Sequence, residues 1–240
     1  MTDIDLSDIA ATRAGSQPLH GYLAIPAGEG PWPGVVLIHE IFGLEDVMRR
    51  HADRLAGLGY LTLAVDLFSA GGAARCLVST MTAMIRGRGK AFADIESARE
   101  YLLASPDCTG KLGVIGFCMG GGFALLTANA GYDAAAVNYG TLPRDLAGAL
   151  DGACPIVGSY AGRDPLTPGA TRKLNAVLDR AGIEHDVKEY PKAGHAFLND
   201  TEAGPRILRP LFRVAGVGPE PDSAQDAWRR IESYFASYLH

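Results

Sequence analysis

An α/β domain with a mostly parallel central sheet of about seven or eight strands, covered by helices on both faces, is the fold the sequence predicts. Three observations carry it. Short apolar runs alternate with segments of helical spacing along the chain, which implies right-handed crossovers between parallel strands. The runs are continuous rather than alternating, as in Val35-Val36-Leu37-Ile38, the mark of strands buried on both faces. Polar and glycine-rich residues collect just after the runs, where the carboxyl ends of strands meet loops. The 240 residues show no internal repeat and no second-domain boundary, so one domain over 1–240 is expected.

In order, Pro18 to Ile25 alternates loosely and reads as an early strand before the Pro/Gly-rich turn Pro26 to Gly34. The Val35 to Ile38 strand ends at His39-Glu40-Ile41-Phe42-Gly43. Asp46 to Leu58 is predicted helical, with Val47, Leu55 and Leu58 on one side, and stops at Gly59. Leu61 to Val65 is a second buried strand, followed by Asp66-Leu67-Phe68 and a glycine-rich loop. Cys76 to Ile85 has helical character interrupted by Gly87 and Gly89, and Phe92 to Ala104 is an amphipathic helix closed by Ser105-Pro106. Lys111 to Ile115 is a strand, Met119 to Asn129 a helix, and Ala134 to Val137 a strand ending in Asn138-Tyr139-Gly140. Ile156 to Tyr160 is a strand, Pro168 to Ala181 a helix and Asp186 to Tyr190 a strand, followed by the loop Lys192 to Phe197. The Pro/Gly-rich stretch from Ala203 to Pro221 reads as an irregular, mobile excursion, and Ser223 to Leu239 as a final amphipathic helix.

Composition excludes several classes. A formal charge of -5 argues against a general nucleic-acid binder, which needs a basic face. No secretory signal and no membrane-length apolar run is visible, so no membrane partner is expected. The four cysteines, Cys76, Cys108, Cys118 and Cys154, are scattered without a C-x-x-C pair. That suits a reducing, cytoplasmic setting and disfavours a disulfide framework or a zinc knuckle. A monomer or weak homodimer is the expected assembly.

The chemistry points to Gly116-Phe117-Cys118-Met119-Gly120, the G-x-nucleophile-x-G frame with cysteine in the serine position. Between a strand and a helix, such a turn strains the nucleophile's backbone and lifts its side chain above the sheet edge. A thiol reacts as thiolate, which a helix N-terminus favours and a neighbouring imidazole completes by taking the proton. His195, in a loop after a late strand, is the candidate base. Asp164, in Gly162-Arg163-Asp164-Pro165, is the candidate acceptor that fixes the imidazole. The chain order nucleophile, acid, base is that of the α/β-hydrolase fold. Oxyanion donors are then expected from the N–H of Met119 and of Ile41. The competing readings are a buried structural thiol for Cys118, a simple turn for Asp164-Pro165 and a solvated carboxylate for Glu40. A dinucleotide loop fails on spacing, and Cys76, Cys108 and Cys154 read as inert.

With H-E-I-F-G at 39–43, D-L-F at 66–68, G-F-C-M-G-G at 116–121, G-R-D-P at 162–165 and A-G-H-A-F at 193–197, the chain resembles the dienelactone hydrolase (carboxymethylenebutenolidase) family. The motifs lie in order over most of the chain and are specific together. The resemblance implies a Cys118-Asp164-His195 triad and a role for Glu40, which in that family contacts the thiol and helps generate the thiolate. It implies hydrolysis of a small-molecule ester or lactone through an acyl-cysteine, without metal or organic cofactor. It places Tyr139 in the substrate pocket, which is expected to include Phe42, Phe197 and Asn199. Asn199 is a departure, since the family holds a substrate carboxylate with two arginines, one of them four residues after the catalytic histidine. Asparagine cannot replace that charge. The segment for the other arginine contains Arg75, Arg86 and Arg88, of which Arg75 and Arg86 read as solvated charges. Two other readings stay open: a non-catalytic or sensing protein on the same fold, and a hydrolase of thioesters or other acyl compounds.

Overall fold

A computed structural model describes residues 2–204, 207, 209–214 and 216–240. Its eight strands are β1 (Thr2–Asp5), β2 (His20–Ala24), β3 (Trp32–Ile38), β4 (Leu61–Asp66), β5 (Cys108–Phe117), β6 (Ala134–Asn138), β7 (Ile156–Ala161) and β8 (His185–Tyr190). They form one sheet in the order β1-β2-β4-β3-β5-β6-β7-β8. β1 and β2 run antiparallel to their neighbours, and every pairing from β4 through β8 is parallel. This is the mostly parallel sheet of an α/β-hydrolase fold.

The continuous apolar runs have their expected cause, because Val35 to Ile38, Val114 to Phe117 and Ala134 to Val137 are buried under helices on both faces. One face carries α2 (Asp46–Gly57) and α9 (Pro221–Leu239), which pack Leu55, Trp228 and Phe235 over Leu37 and Ile115. The other carries α3 (Ala73–Arg86), α4 (Lys90–Ala104), α5 (Met119–Thr127) and α7 (Ala170–Ala181). There Ile95, Phe123 and Leu174 cover Val36 and Val114.

Four differences from the sequence reading have local causes. The chain begins with β1 and a short helix α1 (Ser7–Thr12), too short to show a period. The 76–85 segment is a full helix from Ala73 whose end is set by Gly87 in the left-handed region. The excursion after 203 contains a six-residue helix, α8 (Arg209–Val214), while its residues 205, 206, 208 and 215 lie outside the described residues. A helix of four residues, α6 (Leu146–Ala149), is likewise too short to show a period and is capped by Asp145, which accepts from Gly148 N–H. Among the described residues no helix is long and apolar enough to cross a membrane.

The fold sets the site through register. Ile38 of β3 pairs with Gly116 of β5, and Phe117 pairs with Asn138 of β6. The residues that follow these strands, His39, Cys118 and Tyr139, therefore emerge side by side at the carboxyl edge of the sheet, where α/β folds bind ligands.

Candidate active site

Cys118 stands between β5 and α5 with φ 54°, ψ −115°, a conformation that a side-chain-bearing residue adopts only under constraint. The constraint is visible. Its N–H donates to the Asn138 carbonyl at 3.0 Å and its carbonyl accepts from Gly122 N–H at 3.2 Å. Gly116, Gly120 and Gly121 are required by close approach, since a Cβ on Gly116 would strike the Gly120 carbonyl and one on Gly120 the Ile38 carbonyl. Cys118 is half-buried and opens into a cavity.

Asp164 follows β7, and His195 follows β8. The two loops are stitched together by Arg163 N–H donating to the Ala193 carbonyl at 3.0 Å. His195 Nδ1–H donates to Asp164 Oδ2 at 2.7 Å. The same carboxylate accepts from Thr167 Oγ1–H at 2.8 Å and from Leu166 N–H at 2.9 Å. Burial alone would push the Asp164 carboxyl up, but the His195 bond and charge, with these two donors, hold it below its usual value. His195 Nε2 is buried and receives no hydrogen bond of normal geometry among the described residues; the group acting on it is the Cys118 sulfur. Burial disfavours an imidazolium here, yet the bond to Asp164 and the interaction with Cys118 outweigh it and raise the His195 pKa to about 10. The arrangement suits a thiolate–imidazolium pair.

Glu40 is buried at 3% exposure, and three hydrogen bonds converge on its oxygens. Tyr139 Oη–H donates at 3.3 Å, and Asn199 Nδ2 donates at 3.3 Å and 3.2 Å. Burial raises its pKa, opposed by the charge of His195 and by these donors. Glu40 and Cys118 line the same cavity, and among the described residues no hydrogen bond joins them. His39, given no role by its sequence, orders the turn. Its Nε2 accepts from Leu67 N–H at 3.0 Å, which leaves the ring proton on Nδ1 to donate to the Glu40 carbonyl at 2.6 Å. Gly43 N–H donates to that same carbonyl at 3.1 Å. The turn so fixed leaves Ile41 N–H without a hydrogen-bond acceptor among the described residues. Met119, the first residue of α5, has an N–H with no acceptor inside its own helix.

The cavity above Cys118 has a volume of about 140 Å³, comparable to one that admits a benzene-sized guest. Glu40, Ile41, Phe42, Asn199 and His195 line it, with Leu166 and Phe212 of α8 closing its sides. Among the described lining residues there is no Lys or Arg. Two expected pocket residues are corrected. Tyr139 and Phe197 are fully buried and do not line the cavity. Tyr139 sits behind Glu40 with its ring 5.0 Å from His195, and Phe197 sits behind Tyr139 at 5.7 Å, against Tyr190. Tyr139, just after β6, and Phe197, in the loop after β8, both face the core, so their influence is through the groups in front of them. Arg86 and Arg88 line a separate cavity between α3 and α4.

Sequence reasoning missed His51 and Thr167. His51, on α2, is buried, stacks on Phe117 at 4.7 Å and has Nε2 3.1 Å from Asn199 Oδ1. Its one sequence signal is spacing, four residues from both Val47 and Leu55 on the apolar stripe. Thr167 had none beyond its nearness to Asp164.

The sequence model of the dienelactone hydrolase family matches residues 19–239. A Methylorubrum extorquens protein provisionally named a carboxymethylenebutenolidase is 32% identical over 235 residues, covering 90% of this chain and 76% of its own. The carboxymethylenebutenolidase of Pseudomonas putida is 29% identical over 198 residues, 77% of this chain and 83% of that protein. Among solved structures, one from Klebsiella pneumoniae, provisionally assigned as a dienelactone hydrolase, superposes with a TM-score of 0.76 at 27% identity over 99% of both chains. A dienelactone hydrolase-like promiscuous phosphotriesterase from metagenomic libraries superposes at 0.79 with 24% identity over 100% of this chain and 98% of that one, a likeness of fold.

Proposed function

Because the chain belongs to the dienelactone hydrolase family and is a carboxylic ester hydrolase, we propose that Cys118, His195 and Asp164 perform the cleavage through an acyl-cysteine. The observation that carries this reading is the Asp164-His195 hydrogen bond at 2.7 Å with the free Nε2 directed to Cys118.

The thiolate of Cys118 attacks the carbonyl carbon of the ester or lactone, and the N–H groups of Ile41 and Met119 receive the oxyanion. The tetrahedral adduct collapses with the proton on His195 Nε2 passing to the departing alkoxide, leaving an acyl-thioester on Cys118. A water then gives its proton to Nε2 as its oxygen attacks the thioester. Collapse of the second adduct releases the carboxylic acid and restores the thiolate. Asp164 holds the ring tautomer and balances its charge throughout.

The lining supports an uncharged, compact acyl group. Asn199 stands where the family's arginine is expected, and its amide is committed to Glu40. A substrate carboxylate would meet Glu40, and the one described cation of the lining, the His195 imidazolium, is already engaged by Asp164 and Cys118.

Hydrolysis of p-nitrophenyl acetate tests the triad. Cys118→Ala and His195→Ala are expected to lower kcat/KM by about 10³-fold or more. Acid quench of the wild type should leave an acetylated peptide containing Cys118. Unchanged rates in both variants would overturn the assignment. For the pocket, a neutral aryl ester should exceed its carboxylate-bearing counterpart in kcat/KM by at least about tenfold, ~1.4 kcal/mol of discrimination. Equal rates, or a preference for the anion, would refute the uncharged-acyl reading.

A further inference from the structure

We propose that His51 is a positioning residue for Glu40, acting through the Asn199 side-chain amide. This inference rests on the reading that Glu40 belongs to the catalytic site.

The geometry runs in one direction. Asn199 Nδ2 donates to both Glu40 oxygens, so its Oδ1 points the other way, into a space closed by Phe117 and Trp228. A buried amide oxygen needs a donor there. His51 Nε2 lies 3.1 Å away and supplies it, which puts the ring proton on Nε2. A carboxylate at Glu40 thereby dictates the amide's orientation, and the amide dictates the imidazole's tautomer. Read backwards, the imidazole N–H forbids the flipped amide, whose oxygen would face Glu40.

His51 is well placed to be a fixed donor. Its ring is stacked on Phe117 and tilted against Trp228 at 5.2 Å, so it cannot turn without moving α2 or α9. Burial in this apolar slot lowers its pKa to about 4, against the Asn199 hydrogen bond and the charge of Asp200, with Arg54 and Arg50 acting the same way as burial. Arg50 is itself paired to Asp200, and Arg54 lies over the Trp228 ring at 4.5 Å. The imidazole therefore stays neutral through the range in which an ester hydrolase works, and Nε2 keeps its proton.

The consequence reaches Cys118 through charge. Glu40 is held in front of Tyr139, where it interacts with His195; Glu45 is the other carboxylate that acts on it. A carboxylate that the His195 charge stabilises must stabilise that charge in return. Fixing Glu40 therefore supports the imidazolium half of the thiolate–imidazolium pair, and releasing it weakens the pair.

The test reads the thiolate directly, by the pH dependence of Cys118 alkylation with iodoacetamide, following the Cys118 peptide by mass spectrometry. His51→Phe keeps an aromatic ring in the slot and removes the N–H, whereas His51→Gln restores an amide donor. The expected result is an alkylation midpoint about one pH unit higher in H51F, restored toward wild type in H51Q, with no further shift when H51F is added to Asn199→Ala. A wild-type midpoint in folded H51F, or in N199A, would overturn the proposal. Should H51F fail to fold, histidine ¹⁵N NMR of the unaltered protein decides: a proton on Nε2 from pH 6 to pH 9 is expected, and an Nδ1–H tautomer refutes the relay. Alkylation needs no ester turnover, so failure of the hydrolase reading would show separately, as p-nitrophenyl acetate hydrolysis that does not depend on Cys118.

Discussion

At the scale of single residues, the site is built from groups that are each spoken for more than once. Asp164 is the clearest case, because its Oδ2 serves both His195 and Thr167 while Oδ1 accepts from Leu166. A buried carboxylate needs that many donors to remain ionised, and the hydrogen bond from Thr167 is the one whose removal leaves His195 untouched. Thr167→Val keeps the shape and deletes the donor. It should destabilise the protein by about 2 kcal/mol, as expected for a buried hydrogen bond to a charged group, measurable by urea unfolding at pH 7. It should also lower kcat/KM several-fold, because an Asp164 carboxyl with a higher pKa holds the imidazolium less well. A variant matching wild type in both measurements would show that Thr167 is dispensable to the acid. Residues of this kind leave little trace in a sequence. Cys118 was legible because glycines frame it, and Asp164 and His195 because they follow strands in a telling order. Thr167 and His51 are common side chains in common positions, and their roles depend on which loop or helix happens to face them.

At the scale of elements, the elbow shows how sheet register and glycine placement hold a side chain at the edge of the sheet, facing a cavity. Cys118 at φ 54°, Tyr139 at φ 41° and Ala196 at φ 62° are three of the four described non-glycine residues in the left-handed region, and all three lie at the candidate site. Strain gathered at strand ends in this way persists only where surrounding contacts over-determine it. Here α5 is pressed so closely onto β3 that Gly120 admits no Cβ against the Ile38 carbonyl. Gly120→Ala should therefore cost more than about 4 kcal/mol and show as a loss of soluble folded protein. The contrast is Gly57, the last residue of α2, where an added Cβ meets nothing within 4 Å. Gly57→Ala should stabilise by about 0.5–1 kcal/mol, through a smaller unfolded-state entropy. Thermal melts of the two variants give opposite signs if backbone proximity is the reason for the glycine at the elbow. The sequence pattern revealed the elbow but not the tightness behind it, because proximity between α5 and β3 is a property of the folded pair. The same limit explains Tyr139, placed in the pocket by resemblance, and Phe197, since the packing that turns both inward belongs to the folded chain.

At the scale of the whole molecule, the alternation of buried strands and helices was legible because both faces of the sheet are covered. The short pieces β1, α1, α6 and α8 were not, since none is long enough to show a period. What the completed core adds is a pH dependence that no local pattern could reveal. His51 is sealed between α2, β5 and α9, and its pKa falls from 6.5 to about 4. A histidine whose folded pKa is depressed favours the folded state above its unfolded value. In the unfolded chain it takes up a proton near 6.5, while in the folded protein it resists until about pH 4. Stability is thus fully present above about pH 6.5 and drains as pH falls, by about 3 kcal/mol by pH 4. The carboxylates held low, Asp164, Asp66 and Asp200, act with the same sign but below the unfolded carboxyl range, so their losses fall at still lower pH. Glu40 and Asp94, whose pKa values are raised by burial, act in the opposite sense and gain as pH falls. Comparing wild type with H51F by urea unfolding at pH 7 and pH 4.5 removes these shared terms. The wild type should lose about 2–3 kcal/mol more than H51F over that interval, because only the wild type must keep an imidazole uncharged in an apolar slot. Equal losses would mean that His51 titrates normally in the folded protein, and with that the neutral donor on which Asn199 depends would be gone.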